Sequence, residues 1–412
     1  MKVAVVGSGI IGLATAYSLA KRGCEVVVIG DREPGNGASS NNAGWVVPAE
    51  CGPVPGPGVV LQTMRSMLKP DSPVYVRPSI SPGFVRFMAG MLRACTTTAY
   101  RDAFDATARL ARGTMDELDA WAADGMAFEM HADGELRAYL DPVEHRKAVA
   151  DLPRYERAGS EPSALTGDEA RALVPELSDA VIGAIRFPNE RHVRPATVVG
   201  ALVARLGTLG VGMVDGRAAR AWALPSGGVE LRGTFGGVRA DALVIAAGAW
   251  SARLARTLGV TLPIRPGKGY SVDYIPPQLA SRTLVMLSEA HCAVTPLDGA
   301  TRVAGTMEFG GLDERISPLR VRAIQLAPSR YLRDWDPDAP HLAPSAGLRP
   351  MTPDGLPVIG RLAPFDHVYV ASGHAMLGLT LAPRTGTQLA SMILDGGTPD
   401  VLAPFSPRRF GA

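Results

Sequence analysis

Two short stretches hold the residue types that could do chemistry. The first is GSGIIG, which sets Gly7, Gly9 and Gly12 in GxGxxG spacing. The first glycine of such a run permits a tight turn, the second lets backbone approach a pyrophosphate, and the third lets a helix pack closely on a strand. The N–H groups that open the helix then face the phosphates. Gly7, Ser8, Gly9, Ile10, Ile11 and Gly12 are therefore expected to hold a dinucleotide. The second stretch is GLRPMTPDGLPVIG, residues 347–360, with three glycines and three prolines and a loop-like look. Its one arginine, Arg349, stands between Leu348 and Pro350. An arginine is costly to bury without an anion. Its planar fork suits a carboxylate, which it grips by two parallel hydrogen bonds.

The elements that must position these residues can be read from periodicity. KVAVV at 2–6 reads as a buried strand, ATAYSLAKRG as a helix and CEVVVIG as a second strand, so the chain opens with a βαβ unit. In many such units an acid ends the second strand and takes the ribose hydroxyls. Gly30 holds that place here; Asp31 and Arg32 follow one residue late. Either Asp31 reaches the ribose through a shifted backbone, with Arg32 beside it, or it is an exposed turn aspartate and the glycine opens space for another contact. GxGxxG does not separate NAD from FAD, so a nicotinamide-dependent dehydrogenase stays open at this point.

Residues 35–58 read as loop and 59–125 as mostly helical. Phe84, Phe87, Met88, Met91 and Leu92 fall on one face of an amphipathic helix. Strand and loop begin at 186, followed by the helix ATVVGALVARLGTLG. Residues 211–245 read as a small β-meander with a PSGG turn at 225–228, and 262–310 as further strands. After the 347–360 loop come the strand HVYVASG, a glycine-rich turn and a helix through RTGTQLASMIL. Segments of dinucleotide-binding character thus recur at the start, middle and end. Residues 1–50, 186–260 and 345–412 are assigned to a cofactor domain, and 51–185 and 261–344 to a substrate domain.

Bulk properties narrow the function classes. The chain has 412 residues, 46% hydrophobic and 20% charged, which allows a large core. A net charge of +2 gives no reason to expect nucleic acid as a partner. Its four cysteines lie in no CxxC spacing and with no histidine cluster, so no metal is expected and a reducing cytoplasm is. The apolar N-terminal run is broken by glycines and lacks a cleavage-type ending. No run of 18 apolar residues could span a membrane.

Three segments agree on a family: MKVAVVGSGIIGLATAYSLAKRG with ASSNNAGWVVP, ADALVIAAGAWSARLARTLG, and GLRPMTPDGLPVIG with VYVASGHAMLGLTLAPRTG. Together they resemble the FAD-dependent D-amino acid oxidase/dehydrogenase superfamily, which includes glycine oxidase and sarcosine oxidase, and within it the bacterial D-amino acid dehydrogenases. The resemblance covers most of the chain and is weakest at about 100–185. It implies an α/β fold, a Rossmann-like FAD-binding domain interleaved with an α+β substrate domain built on an antiparallel sheet. It implies backbone contacts to the flavin from Asn42, Ala43, Gly44 and Trp45, and Ala247 and Gly248 near the phosphates or ribose. Gly373, His374, Met376, Leu377, Gly378, Leu379 and Thr380 would face the flavin pyrimidine, where a helix N-terminus stabilises negative charge. His374 would touch substrate or flavin, or only hydrogen-bond within its loop. The cysteines do not match the family's covalent attachment, so noncovalent FAD is expected.

The same resemblance makes Arg349 the grip on a substrate carboxylate. Hydride would leave Cα for flavin N5, and the imine would hydrolyse to a 2-oxo acid and ammonia. Tyr270, or Tyr274 further along its strand, would assist at the carboxylate or amine; core tyrosines are the commoner case. Lys268 would tune oxygen reactivity, Glu308 hold an ammonium, and His192 line the entrance, each of them otherwise an ordinary surface or paired residue. Relatives often carry tryptophan where this chain has Ser345. Secondary or cyclic amino acids such as sarcosine, D-proline or hydroxyproline, glycine itself, and a flavin-binding protein without turnover are the rival readings. The electron acceptor would be a quinone or oxygen. Arg86 and Arg93 on the 84–95 helix suit peripheral contact at the inner face of a membrane, although such an apolar stripe is more often core.

Overall fold

The computed structural model describes residues 1–31, 33–57, 74–77, 79–225 and 227–412. The first strand, Lys2–Val6, has Val3, Ala4 and Val5 fully buried. It lies inside a six-stranded sheet ordered Gly212–Asp215, Glu25–Gly30, Lys2–Val6, Ala242–Ile245, Val368–Ser372 and Val358–Arg361. The first five strands are parallel and the last is antiparallel. Parallel strands are covered on both faces and so read as unbroken apolar runs, as VAVV and VVVI do.

The helix Ile10–Lys21 covers this sheet together with the C-terminal helix Gly378–Asp395. The two press together at Gly386, where a methyl group would sit 2.6 Å from the Ala14 carbonyl oxygen. The helix is rich in alanine and small residues for this reason: they let its backbone come close.

A second sheet has nine strands among the described residues. Its order is Ser345–Met351, Arg265–Tyr274, Ala300–Phe309, Cys292–Leu297, Leu284–Leu287, Glu135–Tyr139, Gly183–Phe187 and Ser163–Thr166, with Val74–Val76 beside Ala300–Phe309. It is antiparallel except where Leu284–Leu287 meets Glu135–Tyr139 and Val74–Val76 meets Ala300–Phe309. One face packs on the helix Pro318–Leu326, burying Tyr270, Val272, Tyr274, Val303, Val321 and Ile324 together. The other face meets the loop around residues 38–47.

Three local expectations change. Residues 347–360 are not a loop: Ser345–Met351 and Val358–Arg361 are strands separated by a turn. Gly347 and Pro350 are tolerated because Ser345–Met351 is the outermost strand of its sheet. That strand pairs with Arg265–Tyr274, a stretch the sequence reading put in the other segment. Within 211–245 only Ala218–Ala223, Val229–Gly233 and Gly236–Ala240 form an antiparallel meander; the flanking strands join the parallel sheet. Helices cover Pro82–Ala94, Thr97–Ala111 and Thr114–Ala123. The helical expectation for 59–73, and Ser226 of the PSGG turn, lie outside the described residues.

Gly386→Val should lower the midpoint of thermal unfolding, because forcing carbon into a filled backbone contact costs about 1–3 kcal/mol. A midpoint equal to the wild type, followed by circular dichroism, would mean that the two helices are not pressed together there.

Candidate active site

The GxGxxG turn forms a cradle of bare backbone. Gly7 takes φ +123°, and a methyl group on it would lie 2.2 Å from the Ala246 carbonyl oxygen. A methyl on Gly12 would lie 1.9 Å from the Gly7 oxygen. Strand end, helix start and the Ala246–Gly248 segment thus meet with no side chain between them. Gly9 precedes the first helix without a side-chain cap, and no acid sits in its first turn. The C-terminal helix likewise starts at Gly378 with no cap and no acid. Its first residue comes beside Ile10, with an added methyl 3.9 Å from Ile10 Cγ2. Two helix N-termini with no acid in their first turns therefore lie next to each other, an arrangement that favours negative charge. Ser372 Oγ donates to the Gly248 oxygen at 3.0 Å and joins two walls of the cradle.

The loop after the second strand is held from inside and outside. Asn42 Nδ2 donates to the Ala38 and Ser39 oxygens at 2.9 and 2.8 Å, while its Oδ1 accepts from Gly44 N at 2.7 Å. Its side chain folds the loop rather than reaching outward. Arg302, paired with Asp273 at 2.6 Å, donates to the Ser40 and Asn42 oxygens at 3.2 and 2.9 Å. Trp45 Nε1 donates to Thr295 Oγ1 at 2.7 Å, and that hydroxyl donates to the Ala43 oxygen at 2.8 Å. Ser39 Oγ accepts the Ile10 N–H at 2.9 Å, and Thr380 Oγ1 accepts from Val47 N at 3.0 Å. Ser39, Thr295 and Arg302 were missed in the sequence, where nothing about a lone serine, threonine or arginine marks such a role.

At the end of the second strand the space for an acid is filled. A methyl on Gly30 would be 2.3 Å from Ser8 Oγ. Asp31 turns to Arg217, 3.2 Å away, on the exposed surface. Arg32 lies outside the described residues.

Arg349 is partly buried. Its Nη1 donates to the Thr306 carbonyl oxygen at 2.8 Å, and no ion pair to it forms among the described residues. Burial without a counter-charge brings its pKa down to about 10, which still leaves it charged at neutral pH. The guanidinium fits because Gly269, on the neighbouring strand, has no side chain: a methyl there would be 2.0 Å from Nη1 and 2.3 Å from Cζ and Nη2. Strand alternation puts Gly267, Gly269 and Ser271 on the Arg349 face, and across the sheet Ala304 and Ala293. This floor of small residues faces the 38–47 loop, as Ser271 Oγ does in donating to the Asn41 oxygen at 3.4 Å. Ser345 pairs with Ser271 and shares that face. Ala375 N donates to the Pro350 oxygen at 3.0 Å, tying the arginine's strand to the loop at 373–377.

Several expected partners of Arg349 are elsewhere. Lys268 and Tyr270 alternate with Gly267 and Gly269, so they point to the opposite face. There Tyr270 donates to Glu308 at 2.9 Å, and Lys268 pairs with Glu308 at 3.5 Å and donates to the Arg315 oxygen at 3.0 Å. Burial and the Glu308 carboxylate raise the Tyr270 pKa, so it stays protonated. The roles expected of Tyr270, Lys268 and Glu308 at the substrate are therefore corrected to a packed polar group behind the sheet. Tyr274 is likewise in the core, its ring 4.9 Å from Trp335 and its hydroxyl donating to the Pro337 oxygen at 3.1 Å. His192 is fully buried, stacked 4.7 Å from His131, and burial lowers its pKa to about 4; it lines no entrance. His374 is buried, with Nε2 3.1 Å from Thr385 Oγ1 and Nδ1 without a protein partner among the described residues. Burial lowers its pKa to about 3. Met376 is largely exposed, while Leu379 and Thr380 are buried in the C-terminal helix. Glu129, His131 and Asp298 bring ligand-type atoms within 4.8 Å of one another, but Arg194 and Arg282 already engage this group.

Comparison with known proteins agrees with this geometry. The family described as FAD dependent oxidoreductase, DAO, matches residues 2–392. A D-amino acid dehydrogenase of Cereibacter sphaeroides is 31% identical over 416 aligned residues, covering 97% of this chain and 93% of that protein. Glycine oxidase from Geobacillus kaustophilus is 27% identical with a TM-score of 0.76, over 98% of this chain and 97% of that one. Iminodiacetate oxidase from Chelativorans sp. BNC1, 22% identical with a TM-score of 0.75 over 98% of each chain, shares the fold. With a matching family across nearly its whole length and a backbone cradle to go with it, the chain belongs to the FAD-dependent oxidoreductases and is an enzyme of that family acting on amino acids.

Proposed function

We propose that the enzyme oxidises a D-amino acid to an imino acid, which water converts to a 2-oxo acid and ammonia. The observation that carries this reading is Arg349, a guanidinium on a sheet face of small residues with no ion-pair partner among the described residues. A carboxylate completes it. The cradle fits FAD: bare glycine backbone stands where the pyrophosphate must approach, two helix N-termini without acids in their first turns face it, and His374 Nδ1 lacks a protein partner among the described residues. When bound, FAD supplies the hydride acceptor.

The protein's own part is to hold the substrate. Arg349 fixes the carboxylate, and the small-residue floor leaves room above it, so Cα is held in one orientation; such positioning is a large part of a rate. The substrate's side chain is directed towards Met307 and Met351, which pack with Phe87, Met91 and Phe309 in an apolar group beside the cleft. The D-series is favoured by the likeness to D-amino acid dehydrogenase. In the proposed dehydrogenase, electrons leave to a quinone. The helix Pro82–Ala94 exposes Val85 and Leu92 near Arg86 and Arg93, and this face is the proposed contact with an anionic membrane surface. No helix among the described residues is long and apolar enough to cross one. The segments 1–50, 186–260 and 352–412 form the proposed cofactor unit, with the boundary moved past the arginine's strand.

Three outcomes are expected. D-Amino acids with a primary amine should bleach the flavin absorbance of the anaerobic wild type; Arg349→Ala should keep its flavin and lose roughly 30- to 5,000-fold in kcat/KM, since truncating one partner of a buried charge pair costs about 2–5 kcal/mol. Unchanged turnover in that variant would end the assignment, and a wild type bleached only by N-methylated or cyclic amines would move the substrate to that class. Gly269→Ala should push the guanidinium aside and raise KM at least tenfold with flavin retained; wild-type KM would mean that Arg349 does not grip the substrate. His374 stays neutral well below the usual histidine range, so kcat/KM should rise with pH only as the substrate ammonium loses its proton. His374→Asn should leave that limb in place, and a displaced limb would give His374 a part in moving the proton.

A further inference from the structure

Among the described residues, four that are not glycine take positive φ: His291, Thr306, Asp334 and Ala375. Thr306, at +64°, is the one branched at Cβ, the kind of side chain least suited to that region. It sits in a break of the ladder. Lys268 pairs with Glu308 and Tyr270 with Gly305, so Thr306 and Met307 together face Gly269. This extra residue is a β-bulge, and bulges re-aim groups next to functional sites. Here the re-aimed group is the Thr306 carbonyl, which accepts from Arg349 Nη1 at 2.8 Å. Gly269, across the bulge, is the residue whose missing side chain admits the same guanidinium. The two strands thus act on one side chain from two sides.

The Thr306 hydroxyl is buried and has no hydrogen-bond partner among the described residues. Glycine would occupy the bulge with neither backbone strain nor an unmet hydroxyl. Strain of this kind persists where a ligand clamp uses it. We propose that Thr306 is a second anchor for the substrate carboxylate: its carbonyl sets the rotation of the Arg349 guanidinium, and its hydroxyl donates to one carboxylate oxygen. This rests on the reading of Arg349 as the carboxylate grip. Covalent geometry keeps a threonine hydroxyl within roughly 5 Å of its own carbonyl oxygen. The hydroxyl therefore lies within about 8 Å of Arg349 Nη1, a span that one carboxylate can bridge. One N–H of Nη1 is engaged, which leaves its second N–H, Nη2 and Nε to the ligand.

The test titrates the FAD-loaded protein with acetate and follows the visible flavin spectrum. Thr306→Val keeps the shape and the branching and removes the hydroxyl. It should weaken acetate binding about 10- to 100-fold, as expected for a lost hydrogen bond to a charged group, with thermal stability unchanged or raised. Thr306→Ser should restore wild-type affinity. If Thr306→Val does not fold, Thr306→Gly relieves the backbone, lacks the hydroxyl and should show the same loss. Wild-type acetate affinity in the hydroxyl-free variant, alongside lost affinity in Arg349→Met, overturns the anchor and leaves the arginine grip standing. Wild-type affinity in Arg349→Met removes the grip, and the anchor with it.

Discussion

Where Gly7 meets Ala246, backbone lies on backbone, and the rest of the molecule is arranged around that contact. A tight turn there points the first helix at the place where a pyrophosphate must come. The same contact ties the first strand to Ala242–Ile245, and through it to Val368–Ser372 and the loop that leads into the C-terminal helix. Segments more than 200 residues apart in the chain are thereby brought to one cradle. Since the walls are backbone, the cradle has few side chains that could adapt to a shift in any one of them.

The second sheet supplies what the cradle lacks, a guanidinium with no ion-pair partner among the described residues, the proposed grip for a substrate. Its two faces have opposite duties. The face towards the cofactor loop is paved with glycine, serine and alanine and carries Arg349. The other face carries Tyr270, Lys268 and Glu308 and is closed by the helix Pro318–Leu326. A period of two separates these sets completely, which is why neighbours in sequence do such different things.

Much of this was legible in the sequence. The glycine spacing and the unbroken apolar strands announced the tight turn and the parallel sheet, because each is a local pattern with a physical cause. The parity of residues 267–271 was not legible. Tyr270 and Gly269 differ by one position, and only the register against Ser345–Met351 tells which of them faces Arg349. The strand at 345–351 was hidden by its own prolines and glycines, which usually mark loops. Ser39, Thr295, Arg302 and Thr306 act through contacts with residues far away in the chain, and a single sequence holds no trace of those.

The place of Arg349 on the outermost strand carries a further consequence. An open sheet edge is a template on which a second chain can add a strand, and long regular edges invite aggregation. Here Pro350 follows the arginine directly and has no N–H to offer, and its carbonyl is taken by Ala375. The rim that carries Arg349 is thus blunted against recruitment of foreign strands. The enzyme can keep Arg349 at the margin of a large sheet without that margin becoming a seed for self-association.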